Sequence, residues 1–225
     1  MKEIQPVKNL NAEITAPPSK AHTIRALFLA ALSNGTTTIK NPLMGKDQKV
    51  AMQALKDLGV QITHENNTIT IQGMGGKFSP KKDTIYIENS GITARILAVA
   101  GALSDKEIII NGDERMRSGR PIQGLLDAAE PLGIKAESVH GNGCPPIRIK
   151  NTKFKGGKTS LRGDKSSQYF SSLLIAAPFA EEDIIIETEG ELMSKPYVDI
   201  TISMMREFGV EVVNHDHQQY MGMVK

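Results

Sequence analysis

Three tripeptides, Leu58-Gly59-Val60, Leu132-Gly133-Ile134 and Phe208-Gly209-Val210, each close a helical pattern and open a β-rich one. Glycine suits the left-handed position just past a helix, and the three glycines stand 74 and 76 positions apart. That recurrence constrains the chain more tightly than any single motif does. It predicts three units of similar length, repeated in the same order.

The first unit reads as a strand over Leu10–Ala16, a helix from Ser19 and a short strand at Thr36–Lys40. A helix over Asp47–Leu58 follows, with Val50, Leu55 and Leu58 inward, and then a hairpin of Val60–His64 with Thr68–Gln72. The second unit repeats the order: strand Thr84–Ile87, helix Ser90–Leu103 and strand Glu107–Ile110. A helix from Pro121 to Leu132, with the proline at its first position, leads into a hairpin of 134–139 and 147–149. The third carries strand Thr159–Arg162, helix Ser166–Ala180, strand Ile184–Glu187, helix Pro196–Phe208 and strands Val210–Val213 and Tyr220–Val224. Each unit is βαβαββ. The first helix of each is apolar on nearly every side, as buried helices are. Three packed units can enclose those helices, with the sheets outside and the amphipathic second helices on the surface.

Each buried helix starts in a polar turn. Pro17-Pro18-Ser19-Lys20 precedes the first, with Ser19 a good N-cap. Asn89-Ser90-Gly91 precedes the second and Asp164-Lys165-Ser166-Ser167-Gln168 the third. Helix amino ends favour anions. Lys20 and Arg25, about 7.5 Å apart along the first helix, can hold two anionic groups of a small ligand. If the three helices lie parallel, their amino ends share one face.

Composition limits the partners. Lys+Arg 27 against Asp+Glu 25 leaves no bulk field to draw the chain to nucleic acid or membrane. Aromatic content of 4% without tryptophan offers no stacking platform for RNA. The one cysteine, Cys144, forms no disulfide framework and suits a cytoplasmic location. No apolar run reaches the length of a membrane span, and no metal-ligand or cofactor motif stands out.

The chain carries Pro17…Ser19-Lys20…Arg25-Ala26-Leu27, Asn89-Ser90-Gly91, Gly112-Asp113…Arg120-Pro121-Ile122, Ser166-Ser167-Gln168 and Ser194-Lys195-Pro196-Tyr197. These motifs resemble those of the EPSP synthase family, specifically its amino-terminal domain. Five signatures in order span nearly the whole chain. The resemblance implies an α/β (α+β) half-molecule of three βαβαββ units with pseudo-threefold packing, its buried parallel helices surrounded by sheets. It places residues 1–12 in a crossover segment belonging to a second domain and residues 13–225 in the amino-terminal domain, with repeats at about 13–76, 77–152 and 153–225.

The family transfers the enolpyruvyl group of phosphoenolpyruvate to the 5-hydroxyl of shikimate 3-phosphate, in aromatic amino-acid synthesis and without a cofactor or metal. By resemblance Lys20 is the catalytic cation between the two substrates. Arg25 pairs with the shikimate carboxylate, Ser166, Ser167 and Ser194 hold the 3-phosphate, and Tyr197 packs beside the ring. Asn89, Gly91 and Arg120 line the phosphoenolpyruvate pocket, and Gln168 reaches both ligands. Ala21 stands where the family has a serine that contacts substrate. Ile92 and Ile96 replace a threonine and a proline, which predicts altered sensitivity to glyphosate, an inhibitor that occupies the phosphoenolpyruvate site.

The family's proton-transfer carboxylates belong to the second domain, so the expectation is a half-enzyme, inactive without its carboxy-terminal half. Two alternatives fit the sequence less well. A UDP-N-acetylglucosamine enolpyruvyl transferase-like domain would carry a reactive cysteine before Arg120-Pro121, and the loop Asn111–Gly119 has none. A non-catalytic RNA-binding module of βαβαββ units is disfavoured by the near-neutral charge.

Overall fold

The first apolar helix, α1 (Lys20–Leu32), shows why the core sits where it does. Ile24, Leu27, Phe28, Leu29, Ala30, Ala31 and Leu32 are all buried, so this helix has almost no solvent face. A computed structural model describes residues 3, 5, 6 and 9–224. The parts of the expected crossover segment at residues 1, 2, 4, 7 and 8 lie outside the described residues, as does Lys225.

Unit one continues with β1 (Thr36–Lys40), α2 (Lys46–Asp57), β2 (Gln61–Glu65) and β3 (Thr68–Gln72). Unit two holds β4 (Thr84–Tyr86), α3 (Gly91–Ala100), β5 (Ile108–Asn111), α4 (Glu114–Gly119), α5 (Gln123–Ala129), β6 (Ala136–Ser138) and β7 (Ile147–Ile149). Unit three holds β8 (Gly157–Arg162), α6 (Ser167–Ala176), β9 (Ile184–Glu189), α7 (Lys195–Glu207), β10 (Val212–His215) and β11 (Gln219–Gly222). A single turn of 3-10 helix extends α3, α5 and α6. The recurring glycines Gly59, Gly133 and Gly209 all adopt positive φ. A Cβ on Gly59 would also lie 2.5 Å from the carbonyl oxygen of Ser79, so only glycine fits that turn.

The sheets of units two and three share one plan, β4-β5-β7-β6 and β8-β9-β11-β10, with the first pair parallel and the rest antiparallel. Each parallel pair is joined through its buried helix, α3 or α6, as a parallel connection requires. Helices α3 and α6 pack on each other, and α1 packs on α2 and α7.

Unit one departs from this plan. Its sheet has three strands, β1-β3-β2, and β1 forms an edge. The expected strand Leu10–Ala16 is not one: it has no ladder, and Leu10 and Ile14 are 83% and 86% exposed. The physical reason lies in pairing, because alternation of residues makes a strand only where a neighbour accepts its hydrogen bonds. Ile14 stands six positions before its helix, as do the buried Ile85 and Leu161 in the other units. Across the open edge, Ile39 of β1 is only partly buried, whereas Ile110 and Ile186 at the same distance beyond their helices are fully enclosed. Among the described residues, the first sheet therefore lacks the strand that the other two sheets contain.

Two smaller expectations are corrected. The segment read as the loop Asn111–Gly119 contains α4, started by the carboxylate of Asp113, which accepts from the Met116 amide at 2.9 Å. Pro121 is not the first residue of a helix, since the backbone of Arg120 and Ile122 is non-helical and α5 starts at Gln123. That break leaves Arg120 in a turn just past α4.

Candidate active site

The amino ends of α1, α3, α6 and α7 open onto one cavity of about 950 Å³. Lys20 and Ala21 start α1, Gly91 starts α3, Ser167 starts α6, and Ser194 precedes α7. All the residues expected to bind ligand line this cavity: Lys20, Ala21, Arg25, Asn89, Gly91, Arg120, Ser166, Ser167, Gln168, Ser194 and Tyr197. Ile92 lines it as well. Ile96 does not, because one turn further along α3 its side chain is packed into the core.

Arg25 is the most buried charge among the described residues, at 1% exposure. Its Nε donates to the hydroxyl of Thr201 at 2.6 Å, and its two terminal nitrogens donate to Ser171 Oγ and to the carbonyls of Ala21 and Tyr197. Every one of these acceptors is neutral. Burial therefore pushes the guanidinium down to about 10 without removing its charge at neutral pH. A buried cation held only by neutral oxygens is poorly compensated within the protein itself. The ring of Tyr197 lies 6.0 Å from the same guanidinium.

Lys20 forms an ion pair with Asp47, which stands in the first turn of α2. Asp47 is the one carboxylate among the described residues that line the cavity. Ser19 starts α1 by accepting from the His22 amide at 3.4 Å. The seat of Lys20 is thus set by the helix start and by Asp47 together.

Beside the start of α3, Arg95 and Arg120 flank Gly91. A Cβ there would lie 2.8 Å from Nη1 of Arg95 and 3.4 Å from Nη1 of Arg120. Glycine at 91 thus leaves room for two guanidiniums, in addition to any closeness it gives a ligand. Burial, aided by repulsion from Arg120, lowers the pKa of Arg95. The Oδ1 of Asn89 and the Nε of Arg95 are buried with no hydrogen-bond partner among the described residues.

The α6 and α7 starts differ. Ser166 caps α6, its hydroxyl accepting from the Gln168 amide at 3.3 Å. Ser194 makes no side-chain cap bond and sits at φ 60, ψ 41, a left-handed conformation that disfavours any residue but glycine. Its hydroxyl has no part in starting the helix, and the strain faces the cavity.

Among the lining residues missed in the sequence are Asp47, Arg95, Lys165, Met193 and Ile200. Asp47 reads as part of an amphipathic surface helix, and Met193 as an ordinary apolar residue before a turn. Lys165 belonged to a quoted motif without a role. Arg95 carries the one signal that could have found it, a cation in the first turn and a half of an otherwise apolar helix.

The profile of the family described as EPSP synthase (3-phosphoshikimate 1-carboxyvinyltransferase) matches residues 4–223. A protein of that name from Methanothermobacter thermautotrophicus is 42% identical over 204 residues, covering 91% of this chain and 48% of its own length. One from Actinobacillus pleuropneumoniae serotype 5b is 40% identical over 224 residues, covering 97% and 52%. The chain spans about half the length of the curated relatives it matches. A solved structure of EPSP synthase from Acinetobacter baumannii superposes with a TM-score of 0.82 at 24% identity, over 94% of this chain and 46% of that one. At that identity it speaks for the fold alone.

Proposed function

The chain belongs to the EPSP synthase family, and from that premise we propose that it is the amino-terminal half of such an enzyme, active when joined to a carboxy-terminal half. It binds shikimate 3-phosphate and forms part of the phosphoenolpyruvate site. The observation that carries this reading is the charge of the cavity: Lys20, Arg25, Arg95, Arg120 and Lys165 face it against the single carboxylate of Asp47. Two substrates carrying phosphate and carboxylate groups match such a lining.

In this reading Arg25 takes the shikimate carboxylate, the anion its neutral partners leave it without. Ser166, Ser167 and Ser194 gather the 3-phosphate between the starts of α6 and α7, and the Tyr197 ring covers the shikimate ring. Arg120 clamps phosphoenolpyruvate beside Asn89 and Gly91. Lys20, lying between, exchanges Asp47 for the substrates' oxygens and stabilises the charge that develops as the 5-oxygen bonds to the enolpyruvyl carbon and phosphate departs. The carboxylates that move protons in this transfer come from the other half. The unfilled edge of β1 and the exposed strand-like segment around Ile14 support the same division, as the places where this half meets the rest of the protein. No described helix is long and apolar enough to cross a membrane, and with its single buried free cysteine we assign the chain to the cytoplasm.

The experiment is calorimetric titration of the chain with shikimate 3-phosphate, followed by addition of a carboxy-terminal half and assay of phosphate release. Saturable binding by the chain alone, with turnover only after mixing, is expected. Turnover by the chain alone, or no binding, would overturn the reading.

A further inference from the structure

Gln168 has an amide that can present either its oxygen or its nitrogen to the cavity, and an anion tolerates only the nitrogen. The end facing inward is decided on α3. Nη1 of Arg95 donates to Oε1 of Gln168 at 2.8 Å. That bond occupies the oxygen, and no hydrogen bond within the described chain occupies Nε2.

Arg95 is itself held on several sides. Its guanidinium lies 5.7 Å from the centre of the Tyr169 ring, and the Tyr169 hydroxyl donates to the carbonyl of Pro121 at 3.2 Å. Gly91, without a side chain, leaves the space in which Nη1 sits. Arg95 thus links α3 to α6 and to the segment carrying Arg120. Among the described residues no carboxylate pairs with it, so an ion pair does not explain a cation placed here.

We propose that Arg95 is a positioning residue that fixes the Gln168 amide with its N–H groups toward the ligand, making Gln168 a donor to the anionic substrate. This rests on the function proposed above and adds to it a residue that acts through another. Without Arg95 the amide is free to turn, and its oxygen then faces the anion in about half of its orientations.

The test is a double-mutant cycle with Arg95→Met and Gln168→Met, read by calorimetric binding of shikimate 3-phosphate, with thermal melting as the check on folding. Each single variant is expected to bind about tenfold more weakly, and the pair about tenfold also, because the second change removes nothing that still acts. Losses that multiply to about a hundredfold would show Arg95 acting on its own and overturn the proposal. Arg95→Lys, which keeps the charge but loses the fork, covers the case in which the methionine variant does not fold, and it is expected to fall as far. A second readout is the side-chain amide resonance pair of Gln168 in glutamine-labelled protein. Arg95→Met should move both shifts toward those of a freely solvated glutamine amide, and an unchanged pair would also overturn the proposal. Arg25→Ala separates the two levels. If it abolishes binding while Arg95→Met leaves binding intact, the positioning role fails and the site stands; if Arg25→Ala binds as before, both fail.

Discussion

The Nε of Arg25 and the hydroxyl of Thr201, 2.6 Å apart, join the first repeat to the third at the floor of the cavity. Thr201 in turn lies 2.7 Å from the hydroxyl of Ser171 on α6. Three helices, α1, α6 and α7, thus meet at one guanidinium without a carboxylate. Such an arrangement is costly to fold, since a buried cation is solvated here only by hydroxyls and carbonyls.

This gives the first prediction, a separation of stability from binding. Arg25→Met replaces the charge by an apolar chain of similar length and leaves Thr201 and Ser171 paired with each other. Stability should stay within about 1 kcal/mol of the parent, because removing a poorly compensated buried charge offsets the lost hydrogen bonds. Affinity for shikimate 3-phosphate should fall about tenfold or more. Calorimetry for both quantities decides it, and a large loss of stability with unchanged affinity would make Arg25 purely structural.

Ser194 should show the same separation by another cause. Its φ of 60 is left-handed, so Ser194→Gly relieves backbone strain and should raise stability by about 1 kcal/mol. The variant also loses the hydroxyl proposed to hold the 3-phosphate, and binding should weaken about tenfold. Unchanged binding would free Ser194 of that role.

The open edge of β1 leads to a prediction about assembly. Ile14 is 86% exposed, so Ile14→Asp should alter the melting of the chain by no more than surface changes usually do, about 0.5 kcal/mol. Restored turnover with the carboxy-terminal half should be lost, because a charge cannot enter the apolar position that Ile85 and Leu161 occupy in their own sheets. Hydrogen exchange gives an independent measure: the outward amides of Thr36–Lys40 should become protected only on mixing. Full restoration by the variant would remove Ile14 from the junction.

Much of the fold was legible because its strongest signals were local and repeated. Gly59, Gly133 and Gly209 mark helix ends by conformation, and the polar turns before three apolar helices mark one functional face. What escaped depended on partners distant in sequence. Leu10–Ala16 has the pattern of a strand but no neighbour to pair with. In α4 six residues with a single apolar one, Met116, are too few to show periodicity, and the Asp113 cap alone reveals the helix. Arg95 and Asp47 sit on helices that read as structural, and their importance comes from Gln168, 73 positions away, and from Lys20 across the cavity. Ser194 showed the converse. It stands just before Lys195-Pro196 as a helix cap would, yet its left-handed backbone leaves its hydroxyl without that role.

Ile92 carries the last prediction, on inhibition by glyphosate. Its side chain is 8% exposed and lines the cavity beside Gly91 and the arginine pair, whereas Ile96 is buried in the core away from it. The two substitutions are therefore unequal, and Ile92 alone should bear on the inhibitor. A β-branched apolar residue there is bulkier than the family's threonine, stiff at χ1 and without a hydroxyl. The close packing beneath it gives little room to retreat. Glyphosate is longer than phosphoenolpyruvate, so the narrower subsite should penalise the inhibitor more than the substrate. A misfit on the scale of one methylene corresponds to about 10- to 200-fold. In the enzyme reconstituted from both halves, Ile92→Thr should lower the ratio of the glyphosate inhibition constant to the Michaelis constant for phosphoenolpyruvate. Ile96→Val, a change confined to the core, should leave the ratio where it was. A ratio unmoved by Ile92→Thr would mean that the inhibitor does not sense this side chain, and one moved equally by both variants would trace the effect to the packing of α3.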